Sequence, residues 1–252
     1  MKVSLIVPVY NEAHHLSEFL AKVDNLDLPA TKELVFVNDC STDGTRRILD
    51  EFSFKSEVQV VHQPSNRGKG AAIQAGIAQA TGDLIGVQDA DFEYDMDEIP
   101  PLLLPLIDGR ADIVYGSRFK KSGEQVHRTF HYLVNRFLTI LSNLCTGLYL
   151  TDMETCYKFF KREIITNIQL DSQRFGFEPE VTAKIARLKL RVFELPISYY
   201  PRNYGEGKKI SWKDGVAAVR HILYYNFGVK PSVYLKPGLP ETYRPPKEGR
   251  WL

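Results

Sequence analysis

Cysteine is scarce in this 252-residue chain. Cys40, Cys145 and Cys156 are its three, and none belongs to a Cys-x-x-Cys pair. An odd number at such spacing argues against a disulfide framework and against a thiolate zinc site. Charge of one sign is not in excess either: Lys and Arg total 32 against 31 for Asp and Glu. The broad basic surface that marks a nucleic-acid binder is therefore missing, and any electrostatic function must come from local clustering. No apolar stretch reaches the about 18 residues of a membrane span. The nearest, residues 133–150, is interrupted by Asn135, Arg136, Ser142 and Asn143. The first 12 residues are too short an apolar run for a signal peptide and contain Pro8, and no Asn-x-Ser/Thr sequon occurs. Together these absences set the expectation of a cytoplasmic protein. His127 and His131 stand four apart, but the intervening residues lack the glutamate of a metalloprotease helix, so they are read as structural.

With 44% apolar and 25% charged residues, the chain has the material for one large core. Residues 2–9, 34–37, 58–62 and 84–87 are compact apolar runs of strand type. Helical patterns separate them, opening after Asn11 and Glu12, at 45–52, and at 71–80, where Gly82 ends the last. Strands alternating with helices predict βαβ units and a mostly parallel sheet. Further on, 112–116, 157–160 and 191–196 read as strands, and 178–188 and 212–227 as helices. Residues 133–150 read as an amphipathic helix with two readings left open, one packing on the core and one lying on a membrane surface. The resulting expectation is a catalytic domain over 1–227 and a Pro- and Gly-rich extended tail over 228–252.

In sheets of this kind ligands bind beyond the carboxyl ends of the strands. The polar clusters at Asn11 and Glu12, at residues 38–43 and at residues 89–91 all fall at such ends, so they are expected to share one crevice. Asp89 and Asp91 flank Ala90 directly after a strand. Two such carboxylates repel unless a cation joins them, and hard oxygen donors suit Mg²⁺ or Mn²⁺ carrying substrate phosphates. Asp95, Asp97 and Glu98 are read as solvated, helix-capping acids. Gly68, Lys69 and Gly70 precede a helix, where backbone donors and a lysine can meet phosphate. The run is neither a Walker loop nor a full dinucleotide fingerprint. A basic set follows the fifth strand (Arg118, Lys120, Lys121, Arg128, Arg136), and another lies at Arg202, Lys208, Lys209 and Lys213. Arginine forks of this sort suit phosphate.

In order, Pro8-Val9-Tyr10-Asn11-Glu12, Asn38-Asp39-Cys40-Ser41-Thr42-Asp43-Gly44-Thr45, Asn66-Arg67-Gly68-Lys69-Gly70 and Asp89-Ala90-Asp91 resemble the family 2 inverting glycosyltransferases of the GT-A fold. Gly116-Ser117-Arg118, the 152–162 segment, Phe177-Glu178-Pro179-Glu180, Glu194-Leu195-Pro196-Ile197 and the 202–208 segment resemble the polyprenyl-phosphate sugar synthases within it. The likeness spans about residues 1–227 and implies an α/β, Rossmann-like, mostly parallel sheet in one domain. It also implies a GDP- or UDP-sugar donor and a polyprenyl-phosphate acceptor. By the same resemblance Pro8, Tyr10, Glu12 and Asp39 would hold base and ribose, with Gly68 and Lys69 lining the pocket. Asp89, Ala90 and Asp91 would meet the nucleotide. Asp89, Asp91 and Glu93 would ligate Mg²⁺ or Mn²⁺, although many relatives have Gln at the Glu93 position. Arg118, Arg128 and Arg202 would clamp the acceptor phosphate, and Asp152 matches the catalytic carboxylate. Many members carry membrane-spanning helices after this domain and none follows here, which leaves peripheral contact with the cytoplasmic face of a membrane as the expected route to a lipid. Two alternatives stay open: a soluble saccharide or protein acceptor, and a non-catalytic nucleotide- or lipid-sensing module of the same fold.

Overall fold

The apolar run after the N-terminus forms β1 (Lys2–Val9), which is buried over most of its length. It lies between two parallel neighbours, β2 (Thr31–Asn38) and β4 (Leu84–Val87). β3 (Glu57–His62) extends the sheet beyond β2, again parallel. Strands covered on both faces need not alternate, which is why 34–37 is continuous in Leu, Val and Phe and 84–87 carries Leu, Ile and Val with only Gly86 among them. The crossovers are α1 (Leu16–Asn25), α2 (Thr45–Glu51) and α3 (Lys69–Gln79). α1 seats Leu16, Phe19, Leu20 and Val23 in the core, the i, i+3, i+4, i+7 stripe of a one-sided helix. This computed structural model describes residues 1–120, 129–201 and 212–245.

After β4 the chain forms α4 (Ile99–Ile107), an element that three prolines conceal in the sequence. Pro100 and Pro101 stand in its first turn, where the missing N–H is not needed, and only Pro105 lies further in. β5 (Ile113–Ser117), α5 (Thr129–Thr146), β6 (Lys158–Lys161), α6 (Arg162–Ile165), α7 (Phe177–Ile185), β7 (Val192–Pro196) and α8 (Trp212–Leu223) follow. The sheet order is β3-β2-β1-β4-β6-β5-β7. β6 runs antiparallel to both β4 and β5, and the remaining pairs are parallel. The α/β architecture therefore matches the sequence expectation, with one reversed strand inserted beside β4.

α5 packs on the core by one face only. Leu138, Thr139 and Ser142 face inward, whereas Leu133, Phe137, Ile140 and Leu144 are 51–73% exposed. Spaced four, three and four, they form one apolar outer stripe. A π-type turn, Tyr224–Gly228, ends α8 before its expected end at 227, and α9 (Pro231–Tyr234) follows. The Pro- and Gly-rich stretch is packed on the domain through residue 245. Tyr234 and Leu239 are buried, and Leu235 bridges to Ile168.

Candidate active site

The ends of β1 and β2 are locked to each other. Asn11 adopts φ 53° and Cys40 φ 58°, the left-handed region that non-glycine residues enter seldom and usually near functional sites. Asn11 Oδ1 accepts the Thr42 N–H at 2.8 Å, and Asn11 N–H donates to Ser41 Oγ at 3.0 Å. Glu12 N–H donates to Thr45 Oγ1 at 3.0 Å. Pro8 and Tyr10 flank Val9, whose carbonyl accepts the Asp39 N–H at 2.9 Å. Asp39 itself is buried, and its two oxygens accept the N–H groups of Arg67 and Gly68 at 2.9 and 2.7 Å.

That pairing alters the reading of the glycine segment. Gly70 and Ala71 N–H donate to the carbonyls of Arg174 and Gln173, at 3.1 and 2.9 Å. The helix-start donors expected to meet phosphate are engaged by the chain itself. Glycine is required for close approach: a Cβ on Gly70 would lie 2.3 Å from Ser172 O, and Gly68 combines φ +94° with a 2.8 Å encounter with Gln173 O. The 172–174 segment is in turn fixed by Glu180, which accepts the N–H of Asp171 and of Ser172, both at 2.8 Å.

What this segment presents to the crevice is the Lys69 side chain. Its Nζ lies 2.8 Å from Asp89 Oδ1 and 3.3 Å from Glu178 Oε1. Burial disfavours the lysine charge, but Asp89 and Glu178 outweigh it and hold its pKa well above the ordinary value. Both acids of Phe177-Glu178-Pro179-Glu180 therefore serve the 68–70 segment, one through Lys69 and one through residues 171–174.

Asp91 is buried and accepts the Glu93 N–H at 3.1 Å. The Glu93 carboxylate accepts the Tyr199 hydroxyl at 2.8 Å. Among the described residues no three His, Cys, Asp or Glu are gathered to hold a metal. The expected trio of Asp89, Asp91 and Glu93 is thus not a ready cage, because Glu93 is drawn to Tyr199. Asp89 and Asp91 remain as two adjacent hard-oxygen donors. That is the set by which Mg²⁺ or Mn²⁺ is commonly held when water and substrate phosphate complete the shell.

Across the crevice, Asp152 is fully buried and grips Arg118 with both oxygens, Nε to Oδ2 at 2.7 Å and Nη2 to Oδ1 at 2.8 Å. Arg118 N–H also donates to Asp152 Oδ2, at 3.1 Å. Burial opposes the guanidinium charge, yet Asp152 holds its pKa well above normal. Glu194 fixes the loop carrying Asp152 by accepting the N–H of Thr151 and Asp152, at 2.8 and 3.0 Å. The Arg118 guanidinium stacks 5.0 Å over the Tyr199 ring. Tyr199 therefore joins the Arg118 side of the crevice to Glu93. Tyr94 makes a second link, accepting the Cys156 N–H at 3.2 Å and lying beside Arg118.

Asp39, Lys69, Asp89, Asp91, Arg118 and Asp152 are thus brought to one crevice, with Ala90 buried between the two aspartates. Arg128 and Arg202 lie outside the described residues. Sequence reading assigned no role to Glu178, Glu180, Glu194, Tyr94, Glu154 or Tyr199. The first three were visible within motifs; nothing in local pattern marks Tyr94 or Tyr199, whose place depends on strands far apart in sequence.

A mostly parallel sheet whose carboxyl edge carries adjacent carboxylates, a half-buried lysine and a buried arginine–aspartate pair is an α/β fold of the GT-A type. Glucosyl-3-phosphoglycerate synthase from Mycobacterium tuberculosis, solved with uridine diphosphate, superimposes with a TM-score of 0.68 at 18% identity, over 97% of this chain and 90% of that one. The chain belongs to glycosyl transferase family 2, whose sequence profile matches residues 4–168. It is 30% identical over 225 residues to a dolichol-phosphate mannosyltransferase of Pyrococcus furiosus, covering 88% of this chain and 63% of that protein, so it spans less than two thirds of that relative. It is also 30% identical over 227 residues to an undecaprenyl-phosphate mannosyltransferase of Micrococcus luteus, covering 87% of this chain and 92% of the other.

Proposed function

We propose that this protein transfers a sugar, with inversion, from a nucleoside-diphosphate sugar to a polyprenyl phosphate. The observation that carries the reading is Arg118, a buried guanidinium oriented by Asp152 and facing the same crevice as Lys69 and Asp89. The acceptors named for the two relatives support it. The acceptor phosphate is already ionised, so the reaction needs no strong base. One phosphate oxygen forms a bond to the anomeric carbon while the bond from that carbon to the diphosphate breaks, and the nucleoside diphosphate leaves with the electron pair. Asp152, with both oxygens on Arg118, acts as a positioning residue. Arg118, with Arg128 and Arg202, binds the phosphate. Holding the reacting oxygen in line supplies several kcal/mol, roughly 7–11 in ideal cases. Lys69 meets the diphosphate. Asp89 and Asp91 would hold Mg²⁺ or Mn²⁺, which neutralises charge on the departing diphosphate. A related glucosyl-3-phosphoglycerate synthase structure contains Mn²⁺ and UDP.

No helix among the described residues is long and apolar enough to cross a membrane. In this reading a lipid acceptor is met at the bilayer surface, through the outer stripe of α5 and the exposed Tyr224 and Phe227 that follow α8. An amphipathic face of this kind lies in the headgroup layer. Transfer is tested with Mn²⁺ or Mg²⁺ over a panel of GDP- and UDP-sugars, with and without polyprenyl phosphate. Metal-dependent transfer from one donor to the lipid is expected. Transfer to soluble sugars alone would overturn the acceptor, and failure to bind any nucleotide would overturn the whole reading. Phe137→Glu with Leu144→Glu should abolish sedimentation with anionic vesicles; unchanged sedimentation would exclude this face.

A further inference from the structure

Asp152 belongs to a loop, residues 150–156, whose backbone is tied at nearly every step. Glu194 takes the N–H groups of Thr151 and Asp152, Thr139 Oγ1 accepts from Met153 N–H at 3.1 Å, and Tyr94 accepts from Cys156 N–H. From beneath, Lys158 Nζ donates to the carbonyls of Met153 and Thr155. Glu154 is the one acid of this rigid loop outside the Asp152–Arg118 pair. Its Oε1 is closed off from solvent and has no hydrogen-bond partner. The obvious internal partner, Lys158, is fully buried and already committed to two backbone carbonyls. An unpaired carboxyl oxygen held out of water is unfavourable and calls for a partner.

Its surroundings say which ligand. Glu178, Lys158, Arg118 and Asp152 are the charges that act on Glu154. Glu178 is paired to Lys69, which holds Asp89 on the donor-diphosphate side. Arg118 and Asp152 mark the acceptor side. Between a diphosphate and an attacking phosphate lies only the sugar being transferred, and what a sugar offers to a carboxyl group is a hydroxyl.

We propose that Glu154 binds a hydroxyl of the donor's sugar and selects neutral hexoses; this rests on the transferase reading above. Burial, then the neighbouring Glu178 carboxylate, pushes the Glu154 pKa up to about 7, so near neutrality the group can both donate to and accept from a hydroxyl. A uronate sugar would bring a further negative charge beside Glu154, Glu178 and Asp152 and is refused.

The test compares nucleoside diphosphates with nucleotide sugars by titration calorimetry on the full chain. The probes are GDP, UDP, GDP-mannose, UDP-glucose and UDP-glucuronate. Glu154→Met fills nearly the same volume without hydrogen-bonding capacity. It should leave affinity for the preferred nucleoside diphosphate unchanged, and weaken the corresponding nucleotide sugar by roughly tenfold or more. Glu154→Gln should recover much of that loss. Because the methionine removes an unsatisfied carboxyl, thermal stability should hold or rise, which a purely structural role would not allow. Glu154→Ala, differing in volume, is read in the same way should the methionine variant fail to fold. A nucleotide-sugar to nucleotide affinity ratio unchanged in the folded variants overturns the inference and leaves the transferase reading intact. Wild-type protein that binds no nucleotide sugar overturns both.

Discussion

Removing either half of the Arg118–Asp152 pair should be worse for stability than removing both. Arg118 is 9% and Asp152 0% exposed by side chain, and the two share a bidentate contact at 2.7 and 2.8 Å. In Arg118→Met the carboxylate stays buried without its counterion; in Asp152→Asn the guanidinium does. Stranding a buried charge costs about 3–5 kcal/mol, whereas replacing a buried pair on both sides is often near neutral. Asn at 152 keeps an acceptor for the N–H of residue 118, so the cycle isolates the ionic contact. We expect each single variant to lose about 3 kcal/mol and the double variant about 2, against about 6 if the effects simply added. For a chain of this length, 3 kcal/mol corresponds to a fall in Tm of roughly 6–12 °C. Urea unfolding followed by fluorescence and by far-ultraviolet circular dichroism reads the cycle. A double variant as unstable as the sum of the singles, within about 0.5 kcal/mol, would refute the reasoning. Transfer activity should not follow stability: the double variant regains structure yet still lacks the guanidinium proposed to bind phosphate.

Further consequences concern charge and close packing. Lys69→Met leaves Asp89 and Glu178 facing each other without a cation, and nucleotide-sugar affinity should fall about 10- to 100-fold, the worth of one charge-assisted hydrogen bond, measured by calorimetry. Gly70→Ala drives a Cβ to 2.3 Å from Ser172 O, and displacing the 172–174 backbone should cost about 1–3 kcal/mol in urea unfolding. Glu33 is buried on β2 opposite Ser4 of β1, which raises its pKa, but Ser4, Thr81 and Gln59 donate to its charged form and bring it to about 2 from 4.5. A depressed carboxylate stabilises above its unfolded pKa and loses that contribution as pH falls. Stability should therefore drop by about 3 kcal/mol between pH 4.5 and 2, at about 1.36 kcal/mol per pH unit. Glu33→Gln should be less stable at neutral pH and show a shallower fall over that interval.

Local sequence determined the parallel half of this protein. Compact apolar runs at 2–9, 34–37 and 84–87, alternating with helical patterns, read as strands of a parallel sheet, which places the polar residues that follow each run at one sheet edge. Asp39, Asp89 and Asp91 were legible as site candidates for this reason, and the motif likeness added Arg118 and Asp152. Three things were decided by tertiary structure. The prolines of α4 hide a helix whose burial of Ile99, Leu102, Leu103 and Leu106 outweighs its poor propensity. The apolar side of α5 reads the same in sequence whether it faces core or solvent, and only the seating of Leu138, Thr139 and Ser142 turns the stripe outward. The glycines at 68 and 70 read as a phosphate cradle, because a loop 100 residues downstream that takes up their backbone donors leaves no local trace. Periodicity fixes which residues share a face; which partner that face meets, and so which charges are paired and which oxygen of Glu154 is left without a partner, is a property of contacts between segments far apart in the chain.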